Sequence, residues 1–241
     1  MKRWLLSFAV ALILVSQLHA ALMFKGYAVD AYGDIGDVLG TGSFSVSGWV
    51  YISSVTSEQG YPWSQHAGGG NRGWYFRFEG TNPATPSFAV STDGTAFTTL
   101  TSATPISTKT WTHYGIVYDA AATQMKIYIN GVIDSFTAAA PASRFNSTAV
   151  IKFGAFLEGA EDDVAFWNVA LTDNEMAQLG KSRVKRIPLQ IRTSSQVRYF
   201  MLDQLPDGSA AGSTLLDSSP NKVNATAANA PTYRETSLSY P

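Results

Sequence analysis

The chain of 241 residues contains no cysteine. Disulfides, thiolate catalysis and cysteine-held metals are excluded together, so a packed core must supply the stability. Charge is also scarce. Asp, Glu, Lys and Arg make up 15% of the residues, against about 25% in an average soluble domain. The net charge is −1. A nucleic-acid partner, which calls for a basic patch, is therefore not expected. Histidine occurs only three times, which leaves few groups for acid–base chemistry. Beyond Val15 no long apolar run occurs. No membrane span is expected in the mature chain, because a span needs about 20 apolar residues.

What is present begins with a leader-like segment. Met1-Lys2-Arg3 is basic, Trp4 to Val15 is apolar, and Ser16 to Ala20 turns polar and ends on a small residue. This layout predicts a secretory signal peptide over residues 1–20, cut after Ala20. An N-terminal anchor that stays uncut is the alternative. Export to the periplasm, the cell surface or the surroundings is the expectation.

The rest of the chain alternates with period two, the signature of strands. Phe44, Val46, Val50 and Ile52 share one face, and Trp49 and Tyr51 the other. Trp74, Phe76 and Phe78 oppose Tyr75, Arg77 and Glu79. Similar runs include Phe88–Val90, Met125–Ile129, Ile151–Leu157 and Val164–Trp167. Asn130-Gly131 and Asp93-Gly94 read as two-residue hairpin turns. Thr172-Asp-Asn-Glu175 reads as a capping box opening a short helix near residues 173–179, with Gly180 as its left-handed end. The expected fold is all-β, a two-sheet antiparallel sandwich with one short helix. Residues 21–205 form its body. Residues 206–241, rich in Ser, Ala and Asn, either pack on it or hang loose.

Four segments then carry a family resemblance. They are Phe44-Ser-Val-Ser-Gly-Trp-Val50, Trp111-Thr-His-Tyr-Gly-Ile-Val-Tyr-Asp119, Lys126-Ile-Tyr-Ile-Asn-Gly131, and Gly159 to Leu171 with its Asp162-Asp163-Val164 core. In this order they resemble the laminin-G-like, pentraxin-like jelly rolls of the concanavalin A-like lectin and glucanase superfamily. The resemblance implies an antiparallel jelly roll. It leaves function open among binding modules, adhesion domains and glycosidases. It also implies a structural calcium held by Asp162 and by residues near the first strand, for which Asp30 and Asp34 are the candidates.

Gly68-Gly-Gly-Asn-Arg-Gly73 lacks the Lys-Ser/Thr of a phosphate loop and leads into a strand, so it is no nucleotide cradle. It is either a strand connection or one lip of a binding site. On the second reading the ligand contacts are Trp63, His66, Arg72, Trp74, Tyr75 and Arg77, with Asn71 beside them. The outward aromatics Trp49, Tyr51, Tyr75, Tyr128 and Trp167 are further sugar-stacking candidates. Glycoside hydrolysis needs two carboxylates flanking one bond. Glu158, Glu161, Asp162 and Asp163 have the wrong spacing for a one-strand acid motif, and no nucleophile motif is present. No catalytic residue is therefore assigned. The basic run from Lys181 to Arg198 could meet an anionic polysaccharide or a membrane surface, or form an ordinary solvated strand or loop. The expected function is a secreted, non-catalytic module that binds a polysaccharide or glycoprotein. An assembly subunit contacting neighbouring proteins is the alternative, and a glycosidase the weaker one.

Overall fold

A computed structural model of the chain describes residues 19–25, 32–54, 60–80, 84–181, 187–203, 208–209, 212–229 and 231–236. Residues 1–18 of the expected leader (1–20) and Asp30 lie outside the described residues, while His19 and Ala20 open the first strand. In chain order the strands are β1 (His19–Lys25), β2 (Tyr32–Asp34), β3 (Phe44–Ile52), β4 (Gly60–His66), β5 (Arg72–Glu79), β6 (Thr85–Ser91), β7 (Phe97–Thr101), β8 (Trp111–Asp119) and β9 (Gln124–Ile129). They continue as β10 (Val132–Thr137), β11 (Lys152–Ala155), β12 (Glu158–Trp167), β13 (Gln196–Phe200), β14 (Gly208–Ser209), β15 (Thr214–Leu215), β16 (Ala225–Ala228) and β17 (Thr232–Thr236). The helix α1 (Asp173–Lys181) lies between β12 and β13.

These strands form two antiparallel sheets. One runs β10-β9-β8-β3-β12-β1-β17-β14, with β13 also on β12. The other runs β15-β16-β2-β11-β4-β5-β6-β7. The two sheets face each other across one core, a jelly-roll sandwich. The C-terminal stretch contributes strands to both sheets, β14 and β17 to the first and β15 and β16 to the second.

The alternation explains which faces meet. Phe44, Val46, Val50 and Ile52 are all buried between the sheets. The apolar face skips position 48. A side chain on Gly48 would press on the Trp63 indole, which lies 3.2 Å from the Cβ position. Trp63 fills that gap and stacks on Phe76 at 5.2 Å. Phe44 packs on Trp74 at 4.8 Å and on Tyr118 at 5.8 Å. Such ring contacts add to the area they bury.

The outer face of the first sheet is largely covered. Tyr128, Trp167 and Tyr199 are buried under Met176 and Leu179 of α1, and Trp167 Nε1 donates to Ile191 O at 2.8 Å. Trp49 and Trp111 pack with Ala21 and Ala160. Of the four outward aromatics named from the sequence on this sheet, Trp49, Tyr51, Tyr128 and Trp167, only Tyr51 keeps some exposure. Trp49, Tyr128 and Trp167 are thus removed as stacking surfaces. They point away from the main core, as alternation requires, into smaller clusters of their own.

The capping box forms as expected. The Thr172 amide donates to Glu175 Oε2 at 2.8 Å, and the Glu175 amide donates back to Thr172 Oγ1 at 3.3 Å. Two turn readings differ. Gly180 is not a left-handed cap but part of α1. It is glycine because a Cβ there would sit 2.0 Å from Gly131 N on the β9–β10 turn. Asn130 and Gly131 both have positive φ, 50° and 75°, and make the two-residue turn. At Asp93-Gly94 only the glycine does, with φ 81°. The connection there spans the five residues between Ser91 and Phe97, because Asp93 Oδ1 accepts from the Thr95 and Ala96 amides and builds a wider turn.

Candidate functional site

The stretch singled out in the sequence, Gly60 to Gly80, is the β4–β5 hairpin at the centre of the second sheet. Its glycine loop is held on both sides. Asn71 Oδ1 accepts from Ser147 Oγ and the Thr148 amide, both at 2.9 Å. The Arg72 amide donates to Gly94 O at 3.2 Å. Gly94 in turn lies so close to the loop that a Cβ would meet Gly70 O at 2.1 Å. Asn71 therefore ties the loop to the neighbouring segment and is not a rim contact.

Two bulges decide what the hairpin shows to solvent. Gly60 pairs with Phe78 and Trp63 with Phe76, so Tyr61 and Pro62 together oppose Arg77. This extra residue shifts the pleat. It sends Tyr61 to the outer face although it stands two before the inward Trp63. A second shift between Gln65 and His66 sets His66 opposite Arg72.

The result is an aromatic ledge on the outer face. Tyr61, His66 and Phe97 run in a row of near-parallel rings. Their centroids are 5.9 and 6.0 Å apart, with planes at 26° and 19°. All three are partly exposed, as is Phe156, 6.2 Å from Tyr61. Tyr75 lies beneath them, only 4% exposed, at 4.8 Å from Phe97 and 5.9 Å from Tyr61. The Arg77 guanidinium covers the Tyr75 ring at 4.4 Å, reaches Tyr61 Oη at 3.4 Å, and pairs with Glu79. Glu79 Oε1 also accepts from Ser87 Oγ at 2.9 Å.

The electrostatics follow from this packing. Burial lowers the pKa of His66, and the Arg72 and Arg77 charges lower it further, so the imidazole is neutral at neutral pH. Burial raises the Tyr75 pKa, countered in part by Arg77 and by a hydrogen bond with Thr99. Burial opposes the charge on Arg77, but its contacts to Tyr61, Tyr75 and Glu79 more than offset that.

The expected contact set is therefore divided. His66, Arg72 and Arg77 come together at the ledge, and Tyr75 is its floor. Trp63 and Trp74 do not belong to it. Both are fully buried between the sheets, because their positions fall on the inward phase of β4 and β5. Tyr61, Phe97 and Phe156 were missed. Phe97 and Phe156 were readable as outward by alternation, but nothing in the sequence placed them beside His66. Tyr61 was hidden by the bulge.

The aspartates do not form the expected calcium set. Asp34 belongs to the second sheet, opposite Lys152 on its outer face. Asp162 belongs to the first sheet, opposite Trp49 on the other outer face. With sheets about 10 Å apart, they cannot share one ion. Among the described residues no three His, Asp or Glu side chains cluster as metal ligands. Asp162 Oδ1 instead accepts from the Asp163 amide at 3.0 Å.

Other acid–base groups are enclosed. Glu161 is fully buried, pairing between Leu22 and Val50 in the core. Ser47, His113 and Asp163 line a small space of about 10 Å³, room for one water at most. The Asp163 carboxylate accepts from the Tyr199 hydroxyl at 2.6 Å. Burial lowers the His113 pKa to about 3. An open hollow of about 460 Å³ lies by the start of α1, where Lys126 and Tyr128 both donate to Asp173 Oδ1; no aromatic ring lines it. In the basic run, Arg192 pairs with Glu175 and Arg198 is buried, so these two do not form an open strip.

Two facing antiparallel sheets with a capped helix over one outer face define a jelly-roll sandwich. A model of the laminin-G type, described as the concanavalin A-like lectin/glucanases superfamily, matches residues 27–177, and the chain belongs to that superfamily. No curated protein sequence matches the chain. Among solved structures, a candidate carbohydrate-binding protein from Bacteroides ovatus superposes with a TM-score of 0.65 at 16% identity, over 93% of this chain and 62% of that one. The chain thus spans less than two thirds of that protein. A heptameric pentraxin from Limulus polyphemus gives 0.58 at 13% identity, over 71% and 86% of the two chains. Domain 4 of the extracellular arabinanase AbnA from Geobacillus stearothermophilus, solved with arabinotriose, gives 0.52 at 17% identity, over 67% and 76%. At these identities the likeness is one of fold.

Proposed function

We propose that the protein is an exported, non-catalytic carbohydrate-binding module that holds saccharide rings against Tyr61, His66 and Phe97. The observation that carries the reading is the row of partly exposed rings on a sheet face whose floor, Tyr75, is itself locked by Arg77. Sugars present C–H faces that pack on aromatic rings, and their hydroxyls need donors and acceptors placed at the ring edges. His66, Arg72, the Tyr61 hydroxyl and Thr99 supply these. A rigid sheet holds the ledge in place before binding, which limits the entropy lost on association. The leader-like residues 1–20 support export, and two neighbours whose names refer to carbohydrate binding or to a bound oligosaccharide point the same way.

The test is calorimetry and affinity electrophoresis on a panel of plant, algal and bacterial polysaccharides. At least one is expected to bind. Tyr61→Ala and Phe97→Ala are each expected to weaken it about fivefold, in line with about 1 kcal/mol per ring contact. No binding across the panel, or binding that both variants leave intact, would sink the reading.

One observation favours a second reading, an assembly subunit. The edge strand β10 exposes Val132 (60%), Ile133 (40%) and Phe136 (62%). An open apolar edge is a template for pairing with another chain. If this edge assembles copies, sedimentation velocity shows an oligomer that Phe136→Lys converts to monomer. A monomeric wild type removes the self-assembly form of this reading.

A further inference from the structure

The ledge carries positive charge that the protein itself does not balance. Three groups border it: His66, Arg72 and Arg77. Arg77 is matched by Glu79. Arg72 is not. Among the described residues it has no ion-pair partner, and its Nε is buried without a hydrogen-bond acceptor. Asp93, on the turn that the Arg72 amide reaches through Gly94, spends Oδ1 on the Thr95 and Ala96 amides, and Arg72 is not among the charges that act on it. Glu79 is taken by Arg77 and Ser87.

The Arg72 backbone is also held in place. Its amide is anchored on Gly94, and it pairs across the strands with His66. A guanidinium carried on that anchored strand beside a row of rings, its Nε buried and short of an acceptor, is arranged for an anionic ligand group. Guanidinium–carboxylate and guanidinium–sulfate contacts are charge-assisted and directional. A neutral hydroxyl accepts more weakly and leaves the charge unbalanced. His66, neutral in the free protein, adds a polar edge but no fixed charge, so discrimination falls to Arg72.

Resting on the proposal that this ledge is the sugar site, we infer that its ligand is an acidic saccharide, with a carboxylate or sulfate ester set against Arg72 and the sugar rings over Tyr61 and Phe97. The fit is one of charge complementarity at a single guanidinium. It differs from a diffuse basic patch, since the whole chain carries a net charge of −1.

The experiment is calorimetry on the full chain with three probes: trigalacturonate, a chondroitin sulfate hexasaccharide and neutral arabinotriose. At about 0.05 M salt at least one acidic probe is expected to bind roughly tenfold or more tighter than the neutral one, and uronate and sulfate arms show which acid group is preferred. The gap is expected to shrink at about 0.5 M salt. Arg72→Met, which keeps the apolar stem, is expected to abolish the gap, the acidic probe falling to the affinity that the same variant shows for the neutral one. Arg72→Lys is expected to keep part of the gap. Lys222→Met, which removes an exposed charge away from the ledge, is expected to keep all of it. Equal affinity for acidic and neutral probes, or a gap that survives Arg72→Met, overturns the inference. If a neutral probe binds and Tyr61→Ala removes it, the sugar site stands and only the acidic preference fails. If neither class binds, both fall.

Discussion

Trp74→Ala is expected to cost about 3–5 kcal/mol of folding stability, the range for deleting a buried tryptophan from a core. The side chain is fully buried, its ring lies 4.8 Å from Phe44, and its strand neighbours are Gln65 and Val90. No rearrangement of exposed groups can refill the space, because both sheets meet there. Trp74→Phe is expected to cost far less. The indole Nε1 is buried without an acceptor, so losing it removes an unsatisfied donor along with part of the ring. Urea midpoints at unchanged slope measure both effects. The contrast with the ledge is the decisive part. Tyr61→Ala is expected to leave the midpoint nearly unmoved and to lose the ligand. Trp74→Phe is expected to keep the ligand. If Trp74→Ala proved stable and ligand-blind, the division between core and site drawn above would be wrong.

Glu161→Leu is expected to stabilise the protein, and more so as pH rises. Glu161 lies between Leu22 and Val50 and faces Trp63 and the Gly154 amide without a well-formed hydrogen bond to either. Burial pushes its pKa well above the ordinary carboxylate range. The sign follows from proton counting. Above about pH 4.3, the ordinary glutamate pKa, the unfolded chain has lost this proton while the fold keeps it. Stability then falls with rising pH, by up to about 1.4 kcal/mol per unit, until the folded group ionises as well. Leucine removes the titration. Denaturation at pH 5 and pH 8 is expected to show the variant's advantage growing by at least about 1 kcal/mol. Glu161→Gln is expected to share the pH trend but not the full gain, because it keeps a buried polar group. Parallel wild-type and leucine curves across that range would show that Glu161 is not held protonated.

Much of this architecture was legible in the residues. The inward set Phe44, Val46, Val50, Ile52, Trp74, Phe76 and Phe78 followed from period two. The helix followed from Thr172 and Glu175, and the β9–β10 turn from Asn130-Gly131. Other features depended on contacts between distant segments. Gly180 looked like a helix end because local rules assign glycine that role, yet the approach of Gly131 is what requires it. Trp49, Tyr128 and Trp167 were rightly placed off the main core, but only the docking of α1 and the path of β1 show that they are covered.

The ledge shows the division most clearly. Composition and alternation alone determined an all-β sandwich without thiol chemistry, and marked the β4–β5 hairpin with His66, Arg72 and Arg77 as its most polar and aromatic stretch. Tertiary structure decided which of its rings face solvent. A bulge of one residue turned Tyr61 outward while Trp63 stayed in, and strand pairing brought Phe97 beside His66. Alternation is a property of one strand, whereas register, bulges and the meeting of two strands are set by the packing of the whole sheet.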